Sequence, residues 1–167
     1  MHCIDHPFKT DYSHAKFEFE SHGPNGVIKK VIEYYEIGKM SDGTPILNLG
    51  FGDWDETLQT IGDLAISNNA DRDKVLATVA SSALDVTDHF GNVAIYAKGS
   101  TPSRTRLYQM GLNANIKEIE TIFDILGLTA SGWEKLRQGV NYTEFLVARK
   151  KGINLNEKNE KYVIHVF

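Results

Sequence analysis

Six side chains suited to holding an anion crowd into nine residues: Lys98, Ser100, Thr101, Ser103, Arg104 and Arg106. They lie within Asn92–Leu112, NVAIYAKGSTPSRTRLYQMGL, which reads as a strand, a turn and a helix, with Thr101 as N-cap and Pro102 as the first helical residue. Arg104 and Arg106 then stand in or beside the first helical turn, near the positive end of the macrodipole, where each cation costs roughly 0.3–1 kcal/mol. A bound anion offsets that cost, and the N–H groups of a helix start already favour one. The segment therefore points to an anion-binding corner. Two residues apart on a helix, the arginines diverge by about 200°, so one small anion does not engage both unless the first turn is irregular. The competing reading pairs an arginine with Asp85 or Asp88 of the preceding helix.

Other chemistry-bearing residues have plainer readings. Tyr108, between Leu107 and Met110, reads as a core-edge ring unless a ligand meets its hydroxyl. Gly52-Asp53-Trp54-Asp55-Glu56 offers carboxylates of the kind that ligate Mg²⁺, but the spacing equally suits a solvated turn. Asp85, Asp88 and His89 share a helix with Ser81 and Ser82, without a Gly-x-Ser-x-Gly elbow, and Asp85 and His89 at i, i+4 suit a surface hydrogen bond. His2, Cys3 and His6, with His14 or His22, lack the paired spacing of a metal knuckle, so no metal is expected.

These residues need a scaffold, and 167 residues with 41% hydrophobic content suit one domain with a real core. The expectation is a single domain over 1–167, with a polar arm at 1–15 and a polar connection at 151–161 before a last strand. Eighteen basic against 22 acidic residues leave a formal charge of −4, so the chain as a whole exerts no general attraction on nucleic acid. The single cysteine excludes an internal disulfide framework. With no apolar signal core and no long apolar run, the expected address is cytoplasmic, away from membranes.

Along the chain, Lys16–Glu20 alternates as KFEFE, Gly26–Gly38 is rich in β-branched and aromatic residues, and Ile46–Phe51 follows a turn signal. These predict three strands of an antiparallel meander. Gly52–Ala70 reads as loop with a short helix around Leu58–Leu64. Apolar residues at Val75, Leu76, Val79, Ala83, Val86 and Phe90 predict a helix over Asp71–Phe90. A short interior strand at Val93–Ala97, a helix at Pro102–Met110 and a further helix carrying Ile116, Ile119, Ile122, Phe123 and Leu126 come next. Trp133 and Tyr142 pin a looser segment, and Thr143–Arg149 with Tyr162–Phe167 suggest a closing hairpin. The class is α+β, a mostly antiparallel sheet with helices on its faces.

The runs DRDKVLATVA, DHF, YAKGSTPSRTRLYQM and FLVARK resemble a family of small bacterial proteins of unknown function, over roughly Lys16 to Lys150. A second resemblance, to the GNAT acyltransferases, rests on the order of three strands, helix, strand, helix and on RTRLYQMGL, similar to that family's A-x-x-L-Y-x-x-x-G-F helix. It implies Tyr108 as the acid that protonates the leaving thiolate of coenzyme A. The chain departs from that family at its pyrophosphate loop, where SNNADRDKV stands for R/Q-x-x-G-x-G/A. No glycine lies between Asn68 and Val75, and Asp71 and Asp73 oppose a pyrophosphate that Arg72 and Lys74 attract, so weak or absent acetyl-coenzyme A binding is expected. Two functions follow: an enzyme, or degenerate enzyme, binding a phosphorylated ligand such as an acyl-coenzyme A or a nucleotide at Ser100–Arg106; or a non-catalytic module, of a toxin–antitoxin or defence system for instance, whose basic corner meets RNA or a protein partner. Oligomeric state is left open.

Overall fold

Alternation and helical periodicity are both realised, though not always where the sequence alone places them. The computed structural model describes residues 8–10, 13–62 and 70–150. In chain order the elements are β1 (Phe8–Thr10), β2 (Lys16–Gly23), β3 (Gly26–Lys39), β4 (Pro45–Asp55), β5 (Thr60–Gly62), α1 (Arg72–Phe90), β6 (Ala94–Ala97), α2 (Pro102–Ala114), α3 (Ile116–Ile122), β7 (Phe123–Thr129), β8 (Gly132–Lys135) and β9 (Phe145–Arg149). The class is α+β with mostly antiparallel strands, as expected. Among the described residues no helix is long and apolar enough to cross a membrane.

The chain divides into two compact units: the described residues through Tyr34 together with Gly50–His89, and Tyr35–Leu49 together with those from Phe90 onward. β3 and β4 contribute to both.

In the first unit, β2 pairs antiparallel with β1 and with β3, from Lys16↔Glu33 to Gly23↔Gly26. The KFEFE alternation sends Phe17 and Phe19 inward, and Phe17 is fully buried with its ring edge-on to Tyr34 at 5.9 Å. α1 covers this face with Val75, Val79 and Val86, and with Thr78, Ser82 and Thr87, which the apolar spacing does not single out. Burying those hydroxyls is tolerable because each bonds a carbonyl three or four residues back, Thr78 to Lys74 at 2.8 Å and Ser82 to Val79 at 2.7 Å. Phe90, expected on the buried face, is 44% exposed.

Two expectations are corrected here. Residues 58–62 are not helical: β4 runs on to Asp55, whose Oδ1 accepts the N–H groups of Thr57 and Leu58 at 2.9 Å, and the turn so formed returns the chain as β5 on β4. Leu64 lies outside the described residues. The acidic segment is likewise split between strand and turn, with Asp53 within β4.

In the second unit, neighbouring strands run β4-β6-β9-β7-β8. β6 is parallel to β4, with Ile46↔Ala94, and antiparallel to β9. β9 inserts between β6 and β7. Ile46, Ala94, Leu126, Leu146 and Ala148 form the core with Met40, joined by half-buried Ile37, Tyr96 and Trp133. The helix expected to reach Leu126 stops at Ile122, because from Phe123 the chain alternates as β7, pairing with β9 over Phe123–Gly127 and with β8 over Leu126–Thr129. Those ladders outweigh the helical spacing. The looser segment is also strand in part, with Trp133 in β8. The hairpin proposed with Tyr162–Phe167 lies outside the described residues, and β9 takes its partners from β6 and β7.

Gly127 lies directly under the ring of Tyr142, and a Cβ there would overlap Cγ and Cδ1 of that ring. Gly127→Ala therefore displaces the ring and lowers stability by about 1–3 kcal/mol. Urea unfolding should show a reduced midpoint at unchanged slope.

Candidate anion site at the start of α2

The turn from β6 into α2 is built by close approach. Gly99 packs against the first helical turn so tightly that a Cβ would overlap the backbone N of Thr105 and Cβ of Arg104. Its N–H donates to Thr105 Oγ1 at 3.0 Å, and that hydroxyl reaches the Thr101 carbonyl at 3.3 Å. Thr101 is the N-cap, in extended conformation, and its hydroxyl accepts the Arg104 N–H at 3.2 Å, with Pro102 next. Cap and first turn thus follow the sequence reading.

The cap also decides what is left for a ligand. Pro102 has no N–H and that of Arg104 is turned onto Thr101, so of the first three helical positions only Ser103 offers its amide. The remaining capacity is in side chains. Lys98, Ser100, Ser103 and Arg106 are exposed, and Arg104 is half-buried. This is the divergence their spacing predicts: Ser103 and Arg106, at i and i+3, share the outer face, and Arg104 turns away. Among the described residues Lys98 and Arg106 make no ion pair, and Asp85 is taken by His14. Arg72 and Lys74 belong to the first turn of α1, in the other unit. There Arg72 lies 4.0 Å from Asp73, while Asp71 accepts a hydrogen bond from buried Ser21 at 2.6 Å.

Further along α2, Tyr108 and Gln109 are buried while Met110 is exposed. Tyr108 is 9% exposed. Gln109 beside it is a clamp that nothing in the sequence marks: its Nε2 donates to the Val140 carbonyl and its Oε1 accepts the Tyr142 N–H at 3.1 Å. The Tyr142 hydroxyl donates to Glu134 Oε1 at 2.8 Å and accepts the Arg137 N–H at 2.9 Å. The Tyr142 hydroxyl first, and second the Arg137 guanidinium, which donates to Glu134 Oε1 at 2.9 Å, hold the Glu134 carboxyl below the usual carboxylate range. Burial, then the Glu134 bond, pushes the Tyr142 phenol up.

A second phenol–carboxylate pair sits at the strand ends. Phe145 faces Ala97 in register, so Glu144 comes level with Lys98, and the Tyr96 hydroxyl donates to the Glu144 carboxylate. Burial, reinforced by that carboxylate, pushes the Tyr96 phenol well above its ordinary range.

The alternative centres are separated by their partners. Asp53 ion-pairs with Lys30, which is almost wholly buried, and Asp55 caps its turn. Ser82 meets Tyr34 at 2.8 Å, not a histidine. Asp85 binds His14 at 2.8 Å in place of the expected His89. His22 lies 3.3 Å from Glu20. Among the described residues no three His, Cys, Asp or Glu side chains are grouped to hold a metal ion, and His2, Cys3 and His6 fall outside them.

One family model, of proteins of unknown function, matches residues 5–150. No curated protein and no solved structure matches the chain.

The Tyr96 pair has a pH signature. A phenol whose ionisation is disfavoured in the folded state lends stability that is complete below about pH 10 and is lost as pH climbs above it, since the unfolded chain ionises first. Stability measured from pH 8 to 11 should fall less steeply in Tyr96→Phe than in the parent chain.

Proposed function

The chain belongs to the family of unknown function DUF6934, and as no activity comes with that membership, we propose from the site itself that the β6–α2 turn binds a phosphorylated ligand. The observation that carries this reading is the exposure of Lys98 and Arg106 without an ion pair among the described residues, on a rigidly capped turn with Ser100 and Ser103. Cations left at the positive end of a helix are destabilising unless an anion joins them. The turn also leaves the carboxyl end of a strand with a parallel neighbour, where open α/β sheets keep their ligands.

The GNAT-like form of this proposal has narrower support. Leaving out the short β1 and β5, three strands, a helix, a strand and a helix follow one another as β2, β3, β4, α1, β6, α2, which supports that reading at the level of element order alone. Tyr108 is then the group in the proton donor's position, and α3 is an addition before the last strands. Acetyl-coenzyme A is still expected to bind weakly.

Calorimetry at low salt with coenzyme A, acetyl-coenzyme A, ADP and a short single-stranded RNA tests the proposal. A small phosphorylated compound should bind, and Lys98→Glu or Arg106→Glu should weaken it by about ten- to hundredfold, the range of one charge-assisted hydrogen bond. Melting temperature should hardly move, because both side chains are exposed. Binding of RNA alone would favour the interaction module, and affinities indifferent to both substitutions would remove the corner from consideration. Tyr108→Phe, assayed for acyl transfer, separates catalysis from binding.

A further inference from the structure

The entry to β2 is fastened to the end of α1 by a cluster that the anion corner does not use. His14 has φ 52°, a left-handed conformation that residues with a side chain adopt uncommonly. Two contacts engage its side chain. Its Nδ1 lies 2.8 Å from Asp85 Oδ2, and its ring stacks on His89 with centroids 4.2 Å apart and planes 16° from parallel. One residue on, the Ala15 carbonyl accepts the Tyr34 N–H at 2.8 Å, so the fastening passes straight into the β2–β3 ladder. About a third of the His14 and Asp85 side chains is exposed, 34% and 31%, so solvent protons reach the cluster.

We infer that the His14–His89 stack is an acid-sensitive pin that releases the segment before β2 from α1 when both rings become charged. One proton is accommodated: His14 Nδ1 lies 2.8 Å from the Asp85 carboxylate, and a charged ring can still stack on a neutral one. A second proton sets two cations face to face at 4.2 Å. The charged groups bordering the pair act on both stages. On α1 these are Asp85 and Asp88, together with the carboxyl-terminal carbonyls of the helix. On the sheet, Lys16 follows His14 by two residues and is the register partner of Glu33, with its ammonium over the Trp54 ring. The repulsion between two charged rings acts along the contact that holds them together. Once the rings part, the left-handed backbone at His14 loses half its support and relaxes, and residues 13–15 leave the helix end. Imidazoles change charge between about pH 5 and 8, so the release falls in mild acid.

The test is made on the full chain. Histidine ring C–H resonances are followed by NMR from pH 8 to 5, and amide protection factors, corrected for the intrinsic pH dependence of exchange, are measured across residues 13–17. The expected result is two coupled steps for His14 and His89, with protection at 13–16 falling at least tenfold more than in the β2–β3 ladder as the second step completes. His89→Gln, which removes the second charge, should abolish that selective loss. His89→Phe keeps a stacking ring without the charge and should abolish it equally, which covers the case in which His89→Gln fails to fold. Independent single-step titration of the two rings, protection at 13–16 that does not change with pH, or a selective loss that persists in His89→Phe would each overturn the inference.

Discussion

The second unit is arranged around a missing side chain. Gly127 leaves β7 bare at one point, and the Tyr142 ring fills the space that a Cβ would occupy. With the ring fixed there, its hydroxyl collects Glu134 and the Arg137 N–H, and its own N–H is within reach of Gln109. The chain between β8 and β9 is thereby tied down although it has no secondary structure of its own. Because Gln109 is part of α2, the same contact sets where that helix lies over the strands. The helix start, with its cap and its exposed cations, belongs to the same helix, so its placement depends on a ring more than thirty residues downstream of it.

Charge is distributed in the corner according to what each group can still do. The hydroxyls of Thr101 and Thr105 are bound into the turn and the cap. They make the corner rigid and are not available as ligands. Ser100 and Ser103 keep exposed hydroxyls, and Lys98 and Arg106 keep exposed cations. A rigid turn with exposed donors is pre-organised, which lowers the ordering entropy that binding otherwise incurs. Thr101, counted with the other donors in the sequence, is better understood as the residue that holds them in place.

How much was legible depends on whether a segment carries its own instructions. β2 and β3 alternate, α1 repeats at helical spacing, and the cap of α2 is written in Thr101 and Pro102; each was read near its final boundary. The α3–β7 junction was not, because IKEIETIFDILGL satisfies a helical period through Leu126 and an alternating one from Phe123 onward. The choice is made by β9 and β8. β5 was missed for a smaller reason, a single aspartate side chain that turns the backbone. Within the site, the exposure of Lys98 and Arg106 follows from position, whereas the Gln109 bonds join residues 31 and 33 apart and have no local signature. The same distance hid the partner of Asp85, which is 71 residues away in His14.

The insertion of β9 between β6 and β7 bears on how this chain is made. β6 emerges with only one of its two neighbours already synthesised, and its other edge waits for residues some fifty positions later. Until then β6 and β7 both present unpaired backbone edges lined by Ile95, Ile125 and Leu126, an arrangement that invites pairing between nascent chains. Contacts of such long sequence separation also form late, since loop closure precedes any gain from them. The β6–β9 and β7–β9 ladders therefore close only once Phe145–Arg149 is available, and a chain truncated before Phe145 would leave both edges open.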